Sequence, residues 1–553
     1  MSTGPDSTFG VRYLEHNLPS LVAGTSTRSV RIMVENQGQH TWRRYHPEGR
    51  CIDLVVYIDG ILNGTHPLPR DEILPGEQAS FHFALDVPQV AGRYDIVIDL
   101  IEQNVAQFAD KGIQPLRHTM IVTTDGASYS TVLQQRANRL CPWYYRPSGG
   151  IEFAADGSAF PLFVSKAKGC RIWDTENRSY IDYVMGWGSA LLGYAEPRIQ
   201  DAVRECLDSG AIVPLPHALE IEVAQILTED IPSAERVMFG KNGSDVCTLA
   251  ARLARAFTGR KIILFSGYHG WQDWWVEHIG FTNTGVPERS EPLTHRFRFN
   301  DLEDFLQLYA RHKGDLAAVM LEPAGPAEGP QGFSRDADAD FLRTIAAATR
   351  STGALLIYDE IMTGFRYLGG SVQAATGIVP DITCLGKALS GGMPLSALVG
   401  RADIFERAMH RTHYGPTFRG EIYSLAAAKA ALQIYREESV AEHIWHHGEQ
   451  IKQGIAHLCM ETGVTAECAG PPFRMNLVFR GDDADRLRLK RTLYFQELLK
   501  AGVVTYHGFM IPSYAHDDCI LQALLQAAGR ALEKVATAEK QGNLDRLIEI
   551  PLV

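Results

Sequence analysis

Apolar and polar residues alternate strictly in the first part of the chain. Val30, Ile32 and Val34 recur at every second position, as do Ile52, Leu54, Val56 and Ile58. Two further runs keep the step: Phe81, Phe83, Leu85 and Val87, then Tyr94, Ile96, Ile98 and Leu100. A period of two over these segments predicts strands with one buried face. Turn-forming residues punctuate them at Asn36-Gln37-Gly38, Asp59-Gly60, Leu74-Pro75-Gly76 and Ala91-Gly92. Residues 11–123 therefore read as an all-β sandwich of the immunoglobulin-like class. Thr123–Pro147 reads as a linker followed by a short helix. From about residue 236 the period changes. Short apolar runs (Val237–Phe239, Lys261–Phe265, Ala317–Leu321, Ala354–Tyr358, Asp381–Leu385) alternate with helical stretches. In one of these Val246, Leu249, Ala250, Leu253 and Phe257 share a face. That alternation predicts a right-handed parallel α/β core.

In open α/β sheets the carboxyl ends of the strands face the ligand crevice. Chemistry-bearing residues stand at those ends. Ala354–Tyr358 stops at Asp359 and Glu360, and Ala317–Leu321 stops at Glu322. Lys387 follows Asp359 by 28 residues, after Gly386 and ahead of Gly391-Gly392. An acid and a lysine on adjacent strand ends, amid glycines, suit a pyridoxal phosphate site. There the lysine forms a Schiff base and the acid keeps the pyridine nitrogen protonated. Taken alone, the same pair also fits an ordinary βαβ unit with a solvated Asp and Lys. Asn242-Gly243-Ser244 opens a helix, where free N–H groups can hold an anion; it equally fits a plain N-cap. Trp271, Trp274 and Trp275 suit either an apolar pocket wall or core packing.

The longer runs discriminate. DEIMTGFR (359–366) followed by PDITCLGKALSGGMPLSALVGR (380–401) closely resembles the cofactor-lysine signature of class III, fold-type-I, pyridoxal phosphate aminotransferases. The similarity is greatest to the glutamate-1-semialdehyde aminomutase subgroup, in which Met362 is usual. It extends from about residue 140 to the C-terminus and takes in ARLARAFTGRKIILFSGYHG (251–270). The resemblance implies pyridoxal 5′-phosphate as cofactor, with Lys387 and Asp359 catalytic. It implies that Asn242, Gly243 and Ser244 form the phosphate cup, that Tyr268 stacks on the ring, and that His269 and Met362 lie beside it. Thr417 would reach the phosphate of a second subunit, making a homodimer. Pro416 departs from the family pattern there and removes a backbone donor. Trp187, Trp271, Glu322 and Arg419 are implied on the substrate side. Tyr514–Asp518 resembles the family's late His motif. In the aminomutases an arginine before the first hairpin binds the substrate carboxylate. Here the stretch 150–160 has no arginine and two acids, Glu152 and Asp156. That departure favours a transaminase, with Arg146, Arg419 or Arg474 as other sources of positive charge.

The N-terminal strands resemble β-sandwich modules appended to bacterial glycan-synthesis enzymes; a docking or dimer-supporting role is favoured over sugar binding. At 553 residues the chain exceeds one domain. The boundaries expected are a sandwich at 11–123, a linker at 124–149 and a catalytic region at 150–553. Within the last, a large subdomain covers about 190–435, with a small α+β lobe from about 150–189 and 436–553. A net charge of −12 argues against a nucleic-acid or anionic-membrane partner. Nine cysteines without a CxxC pair read as reduced thiols in the cytoplasm. Signal-peptide and membrane-span patterns are absent from the sequence, and no metal site is expected. The expected activity is amino transfer between a small-molecule donor and a carbonyl acceptor, in glycan or secondary-metabolite biosynthesis. The alternatives are an intramolecular aminomutase and, more remotely, a non-catalytic glycan-binding scaffold.

Overall fold

The computed structural model describes residues 9–123 and 163–553, apart from 20, 24–26, 47–49, 91, 176, 277–284, 287–291, 327–334, 506–507, 551 and 553. Leu133 and Leu140 are described as well. The expected linker and helix at 124–149, Arg146 and the stretch 150–160 lie outside the described residues, those two leucines aside. The chain divides into two compact units, one holding the N-terminal strands and the other running from Ser179 onward with Lys166–Ile172 added.

The first unit contains two main sheets. One pairs Val11–His16, Arg28–Asn36 and Gln78–Leu85; the other runs in the order Leu21–Ala23, Leu116–Thr123, Gly92–Glu102, Ile52–Ile58, Ile61–Pro67. Every pairing is antiparallel except that of Leu21–Ala23 with Leu116–Thr123. Val30, Ile32, Val34, Phe81 and Leu85 from the first sheet share one buried cluster with Leu54, Val56, Ile96, Ile98 and Leu100 from the second. The period-two pattern therefore gives the inward face of both sheets, as sheet-on-sheet packing requires.

The second unit is organised on a seven-stranded sheet. In chain order its strands are β1 (Arg236–Gly240), β2 (Ile262–Ser266), β3 (Thr294–Arg296), β4 (Leu316–Leu321), β5 (Leu355–Asp359), β6 (Ile382–Leu385) and β7 (Ser396–Gly400). The spatial order is β1-β7-β6-β5-β4-β2-β3. The sheet is not wholly parallel, contrary to the sequence expectation: β7 runs antiparallel to both β6 and β1. Only residues 386–395 join β6 to β7, and a parallel return needs a crossover of about a dozen residues or more. Two antiparallel steps restore the direction, so β1 points the same way as β6. Along β5, Leu355 and Ile357 join the core on one face and Leu356 and Tyr358 the core on the other. Helices cover both faces, among them Gly243–Thr258 and Ala339–Thr352. Each stops at a left-handed glycine, Gly259 and Gly353. No described helix is long and apolar enough to cross a membrane, and the eight described cysteines are all free.

A buried stack of imidazoles lies in this unit. His516 lies against Tyr183 with ring centroids 4.1 Å apart. Its Nε2–H donates to the Asp182 carbonyl (3.1 Å) and its Nδ1 accepts from the Ser513 N–H (2.9 Å). Those two contacts define a neutral tautomer. His447 Nε2 meets the Tyr183 hydroxyl at 3.1 Å. Burial pushes the pKa of His447 down to about 4 and that of His516 down to about 3. The unfolded chain titrates near 6.5, so protons bind the unfolded state first. The stabilisation is complete above about pH 6.5 and is lost as pH falls toward the folded values. For His447 this is on the order of 3 kcal/mol. We expect calorimetry to show the thermal midpoint dropping between pH 7 and pH 4.5, with a shallower slope in His447→Gln. An unchanged slope would remove the stack from the acid response.

Candidate active site

The carboxyl ends of β1, β2, β4, β5 and β6 meet at one edge of the sheet, around a cavity of about 310 Å³. Asp359 ends β5 and is 2% exposed. Its Oδ2 lies 2.8 Å from His269 Nδ1 and 3.5 Å from Cys247 Sγ, and its Oδ1 accepts from the Ile361 N–H (3.1 Å). His269 Nε2 is 3.1 Å from the Ser266 carbonyl. A carbonyl only accepts, so Nε2 carries a hydrogen, and a single proton lies between Nδ1 and the carboxylate. His269 therefore sits behind Asp359 and fixes its orientation.

Lys387 follows β6 with φ +45°, a left-handed backbone that costs a side-chain-bearing residue roughly 1–2 kcal/mol. Burial, and after it the Arg474 and Arg366 guanidinium groups, push the lysine pKa down to about 8. Glu322, after β4, accepts from the Tyr268 N–H (3.0 Å) and forms an ion pair with Arg474 at 3.6 Å. Arg474 also lies over the Phe509 ring, 5.3 Å from its centroid. Burial lowers its pKa, with Glu322 opposing.

The first turn of Gly243–Thr258 forms the opposite wall. Asn242 and Asp245 cap it reciprocally, with the Asn242 N–H donating to Asp245 Oδ2 at 2.8 Å. Neighbouring side chains close over the two glycines of the cradle. A Cβ on Gly243 would come within 2.5 Å of Ile361 Cδ1, and one on Gly270 within 2.5 Å of Ser244 Oγ. Gly270 has φ +116°, open to glycine alone. Lys241 also lines the cavity, with Nζ on Glu421 Oε2 (2.7 Å) and Ser424 Oγ (3.2 Å).

The remaining sequence candidates fall in different places. Asn242, Gly243, Ser244, Tyr268, His269, Met362, Glu322, Asp359 and Lys387 line the cavity together. Trp187 and Trp271 are 48% and 71% exposed and do not line it. Trp275 is core, edge-on to Phe265. Thr417 and Arg419 are exposed and outside the lining; Arg419 Nη1 reaches Met238 Sδ at 3.4 Å. Glu360 points away from the cavity and receives Val372 N–H, Thr363 Oγ1 and Gln373 Nε2.

Sequence reading missed Arg366. It is fully buried. Its Nη1 donates to the Met362 carbonyl (2.6 Å) and its Nη2 to the Gly188 carbonyl. Gly188 closes a left-handed run in which Met185, Gly186, Trp187 and Gly188 have φ of 49°, 57°, 59° and 82°. Asp182 holds the start of that run by accepting from the N–H groups of Val184 and Met185. The signal available was the arginine at the end of DEIMTGFR, a charge with no helical face to serve.

The profile of the family described as aminotransferase class-III matches residues 153–470. The glutamate-1-semialdehyde 2,1-aminomutase of Desulforudis audaxviator (strain MP104C) is 34% identical over 393 residues, 67% of this chain and 90% of that protein. Among solved structures, the FumI protein of Sphingopyxis sp. MTA144 in its PLP internal aldimine form superposes with a TM-score of 0.68 and 29% identity, over 74% of this chain and 97% of that one. A β-phenylalanine aminotransferase from Variovorax paradoxus does so with a TM-score of 0.64 and 26% identity, over 77% of this chain and 95% of that one.

Proposed function

We propose, on the premise that this chain belongs to the class-III aminotransferases, that Lys387 and Asp359 are the working pair of an enzyme moving an amino group from a small-molecule donor to a carbonyl acceptor. Its cofactor is pyridoxal phosphate, and the cavity fits that group: the glycine cradle at a helix N-terminus suits a phosphate, and a buried carboxylate and a lysine line the same cavity. When bound, the cofactor supplies a ring that withdraws electrons from the carbon carrying the amino group. The chain does the rest. Lys387 Nζ, with its pKa down at about 8, holds a lone pair in a useful fraction of molecules near neutral pH. It can take a proton from the substrate carbon and return it at a neighbouring atom. Asp359, its carboxylate fixed by His269 and the Ile361 N–H, is placed to hold positive charge on a ring nitrogen. Gly243 and Ser244 present first-turn N–H groups to an anion, and Tyr268 bounds the cavity beside them. The two facing, mostly antiparallel sheets support the immunoglobulin-like reading of the N-terminal unit.

The observation that carries the proposal is Lys387 and Asp359 on neighbouring strand ends in one cavity. Borohydride reduction of the holoenzyme should leave the cofactor on the peptide containing Lys387 by mass spectrometry. Lys387→Ala should fold and lose about 10²–10⁴-fold in turnover. Label on a different lysine would overturn the assignment.

A dimer is part of the same reading. Trp187, Tyr268, Trp271, Met393 and Phe418 are large, apolar and exposed, and a second copy covering them would remove that apolar surface from water. Thr417, also exposed, would serve the cofactor phosphate bound by the second copy. Light scattering should find a dimer, and Thr417→Ala should weaken cofactor binding; a fully active monomer would refute both.

A mutase outcome uses the same residues and is favoured by the likeness to the D. audaxviator aminomutase. It differs in retaining the substrate until the amino group has moved within it. The purified protein given glutamate-1-semialdehyde and no amino donor should form little 5-aminolevulinate. Efficient conversion would establish the mutase instead.

A further inference from the structure

A second, larger cavity lies in the N-terminal sandwich. It has a volume of about 510 Å³ and is lined by Phe9, His40, Arg43, Arg50, Glu102 and Phe108 among others. We propose that it binds a hydroxylated organic anion, a sugar phosphate or a sugar acid, independently of the catalytic centre.

The charge distribution points to an anion. Up to Thr123 the chain carries 10 lysines and arginines against 14 aspartates and glutamates. Yet the segment His40–Arg50 holds three of those cations, with two histidines. Four of its basic side chains, His40, Arg43, His46 and Arg50, line the cavity. The local sign thus opposes that of the surrounding unit and of the chain, at −12, so a mobile anion is drawn to this point. Glu72 meets Arg43 at 3.3 Å, but both side chains are about half exposed (48% and 52%). Such a pair contributes little and leaves the guanidinium available for exchange.

The first part of that segment, His40–Arg44, is also held in place before any ligand arrives. Trp42 is 3% exposed and packs edge-on to Phe108, which in turn meets Phe9 at 5.1 Å. Trp42–Arg43 pairs with Glu72–Ile73. Asn36 Nδ2 donates to the His40 carbonyl (2.9 Å) and the Arg44 N–H to the Asp71 carbonyl (2.8 Å). His40 and Arg43, whose backbone is pinned at these points, lose little freedom on binding. Trp42 and Phe108 are spent on the core and offer no open ring for stacking, so recognition rests on charge and hydrogen bonds. Arginine forks suit phosphate or carboxylate. Glu102, the one acid among the described lining residues, would accept from ligand hydroxyls, and Thr41 can donate or accept.

The test uses full-length holoenzyme, so that the phosphate cup of the catalytic site is already filled. Calorimetric titration with glucose 6-phosphate, glucuronate and glucose should give binding of one or both anions and none of the neutral sugar. Glucose 6-phosphate alone would identify a phosphate ester as the source, glucuronate alone a sugar acid, and both the shared oxyanion. Arg43→Gln with Arg50→Gln should weaken binding at least tenfold while the visible absorbance of the cofactor is unchanged. If the double variant fails to fold, each single variant should show a partial loss. Binding of glucose as tight as that of the anions, binding undiminished in the variants, or no binding of either anion would overturn the proposal.

Discussion

A carboxylate sealed at the end of an apolar strand has to be answered by hydrogen bonds, because an unpaired buried charge costs several kcal/mol. Asp359 is that group, and its answers come from three separate segments. The Ile361 N–H belongs to the loop after β5, His269 to the loop after β2, and Cys247 to the helix after β1. Satisfying one side chain therefore fixes the three walls of the cavity relative to one another. Glu360 is next in sequence, and successive side chains at a strand end point to opposite sides. It answers to Val372, Thr363 and Gln373 instead and organises the loop that carries Arg366. Two adjacent acids thus hold two different parts of the site.

The cations are less well answered. Arg474 and Arg366 lower the proton affinity of Lys387, and Arg474 lowers that of Arg366. Asp359 is engaged with His269, and Arg366 is held by the Met362 and Gly188 carbonyls and the Met362 thioether, with no acid among the contacts described for it. To this excess of positive charge the site adds left-handed backbone at Lys387 and at Met185–Gly188. Strain and repulsion of this kind survive where the surrounding fold over-determines them. The sheet does so here, since every residue of β4 through β7 is buried. An anionic ligand entering the cavity relieves the repulsion, so binding and folding stability are linked.

Much of this was legible in sequence because it follows from short-range periodicity. The inward faces at Val30–Val34 and Ile52–Ile58 follow from alternation. Asp359, Glu322 and Lys387 follow from apolar runs that stop at a charge. Features that depend on length or on distant partners were not read. The reversal into β7 is set by a ten-residue connection, which hydrophobic pattern does not report. Arg366 and Lys241 carry charge into the wall through contacts with Gly188 and Glu421, far away in the chain. Trp271, Trp274 and Trp275 look alike as a cluster, yet the turn of Asp273–Val276 sends Trp275 into the core and leaves Trp271 outside. Thr417 and Arg419 stand apart from the cavity, and nothing in a single chain's pattern says what meets an exposed loop.

The Glu322–Arg474 pair couples the cavity wall to a cation outside its lining. At 3.6 Å it is an ion pair too long for a good hydrogen bond, between side chains only 10% and 14% exposed. Breaking a buried pair by removing one member leaves the other uncompensated and is costly. A substrate carboxylate that takes Arg474 must therefore leave Glu322 with other partners. Two are at hand: the Tyr268 N–H already donates to it, and Lys387 feels its charge. A carboxylate-bearing substrate would add one negative charge, set against the neighbouring cations Lys387, Arg366 and Arg474. A substrate without one would leave the pair closed. An arginine that can open or keep its pair in this way suits the proposed alternation between a donor and an acceptor, which an intramolecular mutase does not need.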